Sequence, residues 1–372
     1  MSENDTRNKS KKKTEESSLN RKEFLKRTAL GGAGLFSLTG LTGTPAVNGV
    51  GRDEFSFVHL TDMHVRRARK GDEGYKRCVE HVNALDPKPD FVLMGGDGPF
   101  DGLYTEKAEF EDQIDLYKAI SDDLDMPYYN MIGNHDILGW NARRKVSVDD
   151  PDIGKTLFMR KMGMEESYYS FNRNGWHFVM LDCIYPVEVD HGPSYIAKIG
   201  EEQLDWLRFD LAAHANMPVI AVTHIAAFSN LGQIRQDPDM PSMHGRVIQN
   251  TQELRHVLER HGNVRAVLQG HTHINEDYRY NGIWYITSQS VSAAWWGGNW
   301  IGFEPGFNLF KVSAAGDLSW ERHTFPWEHH LEPEDDLERE RIAEREAFEE
   351  EQEMLRREEL EKAKEGELKE TD

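Results

Sequence analysis

The chain has 372 residues, two cysteines and a formal net charge of −21. That length holds two average domains or, more simply, one large α/β domain, and the acidic balance argues against a polyanion partner, because nucleic-acid binders normally carry a basic stripe that neutralises phosphates. Residues 1–50 are net +4 and residues 331–372 net −11, leaving −14 on the part between, so a substrate phosphate must be drawn in by local charge and not by a broad basic face.

Residues 1–46 read as an address and not as structure. A Lys-rich stretch leads to Asn20-Arg21-Lys22-Glu23-Phe24-Leu25-Lys26-Arg27, and residues 28–51 then carry no charge and hold seven glycines. The pattern resembles a twin-arginine export signal with cleavage after Ala46, although Lys22 stands where the second arginine belongs. It implies a periplasmic or extracellular protein; the alternative is a cytoplasmic one with a disordered tail. So many glycines make the run too weakly apolar for a stable membrane span.

From residue 53 to 327 strand and helix patterns alternate, which asks for a sheet covered on its faces. An apolar run, Phe55 to Leu60, reads as a buried strand that delivers Asp62 and His64 at its C-terminal end. A helix over 74–85 and a strand over 90–95 follow, the strand ending at Gly95-Gly96-Asp97. A helix over 106–124 precedes a strand over 127–132 that ends in Gly133-Asn134-His135-Asp136. Residues 137–166 read as a surface excursion with a short helix. A hairpin turns at Asn174-Gly175, and a helix spans 201–214. His224 closes the next strand and opens a connection over 225–247, a length usual for functional loops. A helix over 248–261 leads to the strand closed by His271 and His273; two strand pairs and an aromatic loop complete the region. Cys78 and Cys183 lie in apolar patterns and read as buried free thiols.

Five strands therefore end in carboxylate, carboxamide or imidazole, a donor set suited to first-row divalent metals. The ordered pattern Asp-x-His, Gly-Asp, Gly-Asn-His-Asp, His and Gly-His-x-His resembles the calcineurin-like metallophosphoesterases. The resemblance covers residues 53 to about 325 and implies a four-layer α-β-β-α sandwich of two mixed sheets. It also implies two divalent transition-metal ions, manganese, iron or zinc. One would be held by Asp62, His64 and His273, the other by Asn134, His224 and His271, with Asp97 bridging. The ions would clamp a phosphoryl group and activate water for hydrolysis of a phosphomono- or phosphodiester. His135 would stabilise the transition state or protonate the leaving oxygen, with its basicity raised by Asp136. Phe100 occupies the position where the purple acid phosphatases carry an iron-binding tyrosine, so a ferric phenolate site is not expected.

Arg66, with Arg67 and Arg69, is a candidate phosphate contact, and Trp295, Trp296 and Trp300 are candidates for stacking on a base or sugar. His59 and His177 read as core histidines; His191, His214, His244, His256 and His261 read as solvated. The acidic tail, 331–372, is rich in helix formers and Glu-to-Arg or Glu-to-Lys pairs such as Glu353 with Arg357. It reads as a solvated helix or disordered segment, with partner-protein docking as the lesser alternative. Within the small-phosphoester reading a cyclic-nucleotide phosphodiesterase is one alternative; a non-catalytic scaffold that binds a partner through its tail is the other.

Overall fold

In the computed structural model, which describes residues 54–234, 245–333 and 335, the opening apolar run is β1, Phe55–Leu60. The expected export segment, His244 and most of the acidic tail lie outside the described residues. The chain divides into two units, Met1–Glu328 and His329–Asp372, and both large sheets belong to the first. After β1 come α1 (Gly71–Asn83), β2 (Phe91–Met94), α2 (Lys107–Ser121), β3 (Tyr128–Asn130) and α3 (Thr156–Met162). The chain continues through β4 (Tyr169–Arg173), β5 (Trp176–Leu181), β6 (Ile184–Val189), β7 (Gly192–Ala197), α4 (Glu201–Ala213) and β8 (Val219–Thr223). It closes with α5 (Leu231–Ile234), α6 (Thr251–Glu259), β9 (Val264–Gln269), β10 (Glu276–Tyr280), β11 (Ile283–Thr287), β12 (Gly306–Val312) and β13 (Leu318–Thr324).

Two mixed sheets form, in strand order β13-β12-β1-β2-β3 and β10-β11-β9-β8-β5-β4. Their central strands are buried on both faces, which is why they read as continuous apolar runs and not as alternating ones. In β1, Phe55 and Phe57 face the other sheet, whereas Val58 and Leu60 join the layer that packs against helices. Between the sheets Phe57 lies parallel to Phe91 at 5.1 Å and to Phe310 at 5.0 Å, and meets Phe178 of the opposite sheet edge-on at 5.7 Å. Such pairs add a directional term to the burial that holds the layers together. This is the metallophosphoesterase fold.

The strands β1, β2 and β3 are parallel to one another, as are β5, β8, β9 and β11. Their C-terminal ends therefore open on one side of the sandwich, the usual place for a site in such sheets. The predicted hairpin turn forms at Asn174-Gly175, both residues with positive φ as a type I′ turn requires. The two-stranded ribbon β6–β7 has no counterpart in the expected elements. Pro186 and Pro193 argue against strands in the sequence, but among the described residues the ribbon pairs only with itself, so edge positions for the prolines are available. Cys78 and Cys183 are buried and free. Among the described residues no helix is long and apolar enough to cross a membrane.

Candidate metal centre

The five strand ends bring Asp62, His64, Asp97, Asn134, His224, His271 and His273 together. Ligand atoms of Asp62, His64 and His273 lie within 4.8 Å of one another, and so do those of Asp97, His224 and His271. His273 Nε2 is 3.2 Å from Asp62 Oδ1 and 3.2 Å from His64 Nε2. His224 Nε2 is 3.2 Å from Asn134 Oδ1. Asp97 Oδ2 stands between the two groups, 3.6 Å from His64 Nε2 and 3.0 Å from His224 Nε2.

The strand ends reach this geometry through unusual backbone. Asp62, His64, Asp97, His271 and His273 all have φ between 45° and 70°. Left-handed conformation costs a non-glycine residue energy, and it concentrates where surroundings over-determine a functional geometry. Those surroundings are hydrogen bonds. The amide of His271 donates to both oxygens of Asp62 at 3.1 and 3.0 Å, Thr61 Oγ1 donates to Asp62 Oδ2 at 2.8 Å, and the amide of His135 donates to Asp97 Oδ1 at 2.8 Å. A side chain at Gly133 would put its Cβ 2.2 Å from Asp97 Oδ1, so that turn admits only glycine.

Whether a cation fits is decided by where the ring hydrogens go. His64 Nδ1 donates to the carbonyl of Phe100 at 3.1 Å, His224 Nδ1 to that of Gly95 at 2.9 Å, and His273 Nδ1 to that of Ala293. Each Nε2 is then a lone pair aimed at carboxylate oxygen or at another lone pair. His271 is reversed: its Nε2 donates to the carbonyl of Gly245 at 2.9 Å, which leaves Nδ1 for the cluster. Lone pairs facing lone pairs in a buried place repel unless a cation lies between them, and carbonyl-anchored imidazoles are the arrangement metal sites use. Charge agrees. Burial holds His64 well below its ordinary pKa, and burial with the neighbouring His224 brings His271 down to about 4, so both are neutral donors. His224 is the exception: burial works against charge there too, but Asp97 and Asp62 outweigh it and raise the group to about 9, so a proton on Nε2, 3.0 Å from Asp97 Oδ2, fills the place that a cation would take, and the cluster draws in a positive charge.

His135 lies beside the cluster, its ring edge-on to His64 at 5.0 Å, with 22% of the side chain exposed where the clustered donors are nearly all covered. Its partner is not Asp136. The Asp136 carboxylate is turned away and accepts the amides of Asp97, Gly98 and Gly133 at 2.9, 2.9 and 2.6 Å. Burial and the Asp97 charge push that carboxyl up to about 7. The expected catalytic role of Asp136 is thereby corrected: successive side chains leave the turn in opposite directions, and Asp136 clamps the loop beneath Asp97. The residue that touches the ring is Asp101, whose Oδ1 accepts from His135 Nδ1 at 3.0 Å. Asp101 is itself held by the amides of Leu103 and Tyr104 at 2.9 and 3.2 Å. Burial lowers the His135 pKa, but the charges of Asp97 and Asp101 and the Asp101 hydrogen bond raise it overall. The signal for Asp101 was present in Gly96-Asp97-Gly98-Pro99-Phe100-Asp101, a second aspartate one turn past the first.

The substrate candidates separate. Arg66 is half-buried with its guanidinium 3.9 Å over the Phe100 ring. Arg67 pairs with Asp112 at 3.1 Å on the surface, and Arg69 donates to the carbonyl of Trp295 at 3.0 Å. Trp296 is fully buried and donates from Nε1 to the carbonyl of Met63 at 2.9 Å, so the expectation that it contacts substrate is overturned: it is a core plug. Trp295 stays half-buried, its ring 4.4 Å from that of His273 and 5.6 Å from that of His64.

A second group, His177, Asp210 and His214, also has ligand atoms within 4.8 Å of each other. His177 is buried as expected, but His214 is not solvated: it stacks on His177 at 3.7 Å with 14° between the planes. Imidazole lone pairs lie in the ring plane, so two parallel rings that far apart cannot both point at one ion. His59 is a core histidine, with Nδ1 2.7 Å from Ser288 Oγ and burial bringing its pKa down to about 3.

The sequence profile of the calcineurin-like phosphoesterase family matches residues 55–275, more than half of the chain. A 3′,5′-cyclic-nucleotide phosphodiesterase of Nostoc sp. strain PCC 7120 is 25% identical over 301 residues, 75% of this chain and 95% of that protein. A serine/threonine-protein phosphatase of Rattus norvegicus is 27% identical over 221 residues, 58% of this chain and 64% of that protein. A dimetal phosphatase of Danio rerio, known as a crystal structure, aligns over 73% of this chain and 99% of its own with a TM-score of 0.48 at 14% identity. The chain belongs to the calcineurin-like phosphoesterase family.

Proposed function

We propose that this protein is a dinuclear metal-dependent phosphoesterase. The observation that carries the reading is the convergence of imidazole lone pairs and carboxylate oxygens around Asp97 while the other ring nitrogens of His64, His224, His271 and His273 are tied to carbonyls. Asp62, His64 and His273 would hold one divalent ion, Asn134, His224 and His271 the other, and Asp97 both. Bound there, manganese, iron or zinc would supply Lewis acidity toward the phosphoryl oxygens and a nucleophilic water. With Nδ1 donated to Asp101, His135 keeps Nε2 for the phosphoryl group or the leaving oxygen, where a proton or a positive edge counts most as charge develops. Asp101 fixes the tautomer and the ring direction. Asp136 keeps the turn beneath Asp97 rigid. The Nostoc relative's name favours diesters, cyclic nucleotides among them, while the Rattus relative's name favours a monoester.

Elemental analysis after manganese loading, together with assays on bis-p-nitrophenyl phosphate, p-nitrophenyl phosphate and cyclic nucleotides, tests the reading. Two ions per chain and turnover of one substrate class are expected. Fewer than one ion per chain, or no turnover of any phosphoester, would sink it.

Export of the folded, metal-loaded chain is a second part of the proposal, supported by Arg21, Lys22, Phe24, Leu25 and Lys26 ahead of the uncharged glycine-rich run. Replacing Arg21 and Lys22 by glutamine together should trap precursor in the cytosol. Cytosolic fractionation of the unaltered protein with Met1 intact would refute it.

A further inference from the structure

The loop after β11 is stitched to the end of β1. The amides of Val291 and Ser292 donate to the carbonyls of Thr61 and Asp62 at 3.0 and 3.2 Å, so the loop starts beside a candidate metal ligand. It then passes through three non-glycine residues of positive φ, Ala293 at 46°, Trp295 at 50° and Trp296 at 69°. Such a run is costly and needs restraint from outside. Trp296 provides one restraint from below. Its indole fills the space over α1 so closely that a Cβ at Gly71 or Gly74 would come within 2.6 or 2.3 Å of it. Arg69 provides another, donating to the carbonyl of Trp295 at 3.0 Å.

The consequence is a division of labour between adjacent tryptophans. Trp296 is wholly inside, whereas Trp295 is turned back onto the metal cluster, tilted 32° against His273 and 49° against His64, with Trp300 edge-on at 5.2 Å. A loop that needed only packing would not hold a second, half-buried indole in left-handed backbone against two candidate ligand histidines. The body of the domain is strongly acidic, so beyond the phosphoryl group a substrate finds little cationic surface to hold it. An indole face offers a different kind of contact, stacking, which tolerates any planar ring.

We infer that Trp295 is the specificity-determining residue of this site and selects phosphodiesters that carry a planar aromatic group, a nucleobase or an aryl ring, against purely alkyl esters. The inference rests on the phosphoesterase reading. Trp300 sets the angle of the platform, since its edge meets the Trp295 ring and its Nε1 donates to the carbonyl of Thr272 at 3.1 Å, between the two histidines of the Gly-His-x-His turn.

The test compares each variant with the unaltered enzyme on the same substrate, because p-nitrophenolate leaves readily whatever it stacks on. Manganese-loaded unaltered enzyme, Trp295→Ala, Trp295→Leu and Trp295→Phe are assayed on 3′,5′-cyclic AMP, bis-p-nitrophenyl phosphate and dimethyl phosphate. The two aromatic diesters distinguish base from aryl recognition. Trp295→Ala and Trp295→Leu should lower kcat/KM on at least one aromatic diester roughly 5- to 100-fold, the span of a lost base–aromatic stack. The loss should lie mainly in KM, be at least about fivefold larger than on dimethyl phosphate, and be mostly recovered in Trp295→Phe. Calorimetric binding of AMP should weaken in the same variants by more than binding of inorganic phosphate. Equal losses on all three substrates, or none, overturn the inference while leaving the phosphoesterase reading intact. Loss of manganese in Trp295→Leu as well as in Trp295→Ala overturns it too, because the indole would then be a support for His64 and His273. If the unaltered, metal-loaded enzyme turns over no phosphoester at all, the phosphoesterase reading fails instead.

Discussion

The cluster around Asp97 and the cluster around Asp210 are made of the same side chains, at the same ligand spacing, in similarly buried surroundings. They differ in what carries them. His177 lies on β5 and Asp210 on α4, with His214 capping the C-terminal end of that helix, so the rings fall into parallel stacking and the charges are satisfied within the group. His177 has oxygen partners on both ring nitrogens, Asn172 Oδ1 and Asp210 Oδ2, each at 2.7 Å. Around Asp97 the donors sit on turns past the strand ends, most of them in left-handed backbone, and their hydrogens are led away to carbonyls. Composition and proximity are therefore poor guides to a metal site. The direction of the lone pairs and the strain kept in the backbone are better ones.

The largest effect that would separate the two clusters comes from Asp97→Asn. It removes the charge shared by both halves of the candidate centre, so both ions should be lost together and activity should fall at least about 10³-fold, the worth of several kcal/mol of Lewis-acid stabilisation. Mass-spectrometric metal analysis that still finds two ions in this variant would dissolve the distinction. Next is His135→Ala. It should keep both ions and most affinity for substrate while kcat falls roughly 10²- to 10⁴-fold, the usual range for a lost general acid or transition-state donor. His224→Ala should instead lower metal content, and a His135→Ala variant with full turnover on every substrate would end the role assigned to the ring.

A smaller effect is expected from Asp101→Asn. The amide can still accept a hydrogen bond from His135 Nδ1, but the charge that raises the ring's basicity is gone. The expected loss in kcat is about tenfold with metal content unchanged. The same variant in a His135→Ala background should cost nothing further, since a positioning residue acts only through the ring it positions.

How much of the site is readable without coordinates depends on period and spacing. Strand ends are readable: Asp62, Asp97, Asn134, His224, His271 and His273 each close an apolar run, and an apolar run fixes where a strand stops. Side-chain direction past the strand end is not. Asp136 follows His135 in sequence yet points under the turn, while Asp101, 34 residues away in sequence, reaches the ring. Trp295 and Trp296 are equally apolar neighbours, and only the backbone sends one inward and the other to the site. His214 lies one position past α4 and reads as solvated, because no local pattern marks its parallel partner on β5.

The last separation leaves activity alone and concerns stability. Burial tends to raise the Asp210 pKa, but His177 and His214 outweigh it and hold the carboxyl below its ordinary value. A carboxyl depressed in the folded state adds stability that is fully present above its unfolded pKa, about 3.9, and is lost as pH falls through the lower folded value. Asp210→Ala leaves His177 and Ser170 without their buried partner, and should cost roughly 3 kcal/mol at neutral pH. Calorimetry of the manganese-loaded protein should therefore show a lower Tm for Asp210→Ala at about pH 6 to 8. The difference should narrow only below about pH 4, where the carboxyl of the unaltered chain begins to bind its proton on unfolding. Metal content should stay at the unaltered value, with kcat within about twofold at about 25 °C, because Asp210 bonds to Ser170 and His177 and not, among the described residues, to a donor of the candidate metal centre. Loss of one ion per chain on removing Asp210 would make this cluster a metal site after all, and the direction of lone pairs would no longer tell the two apart.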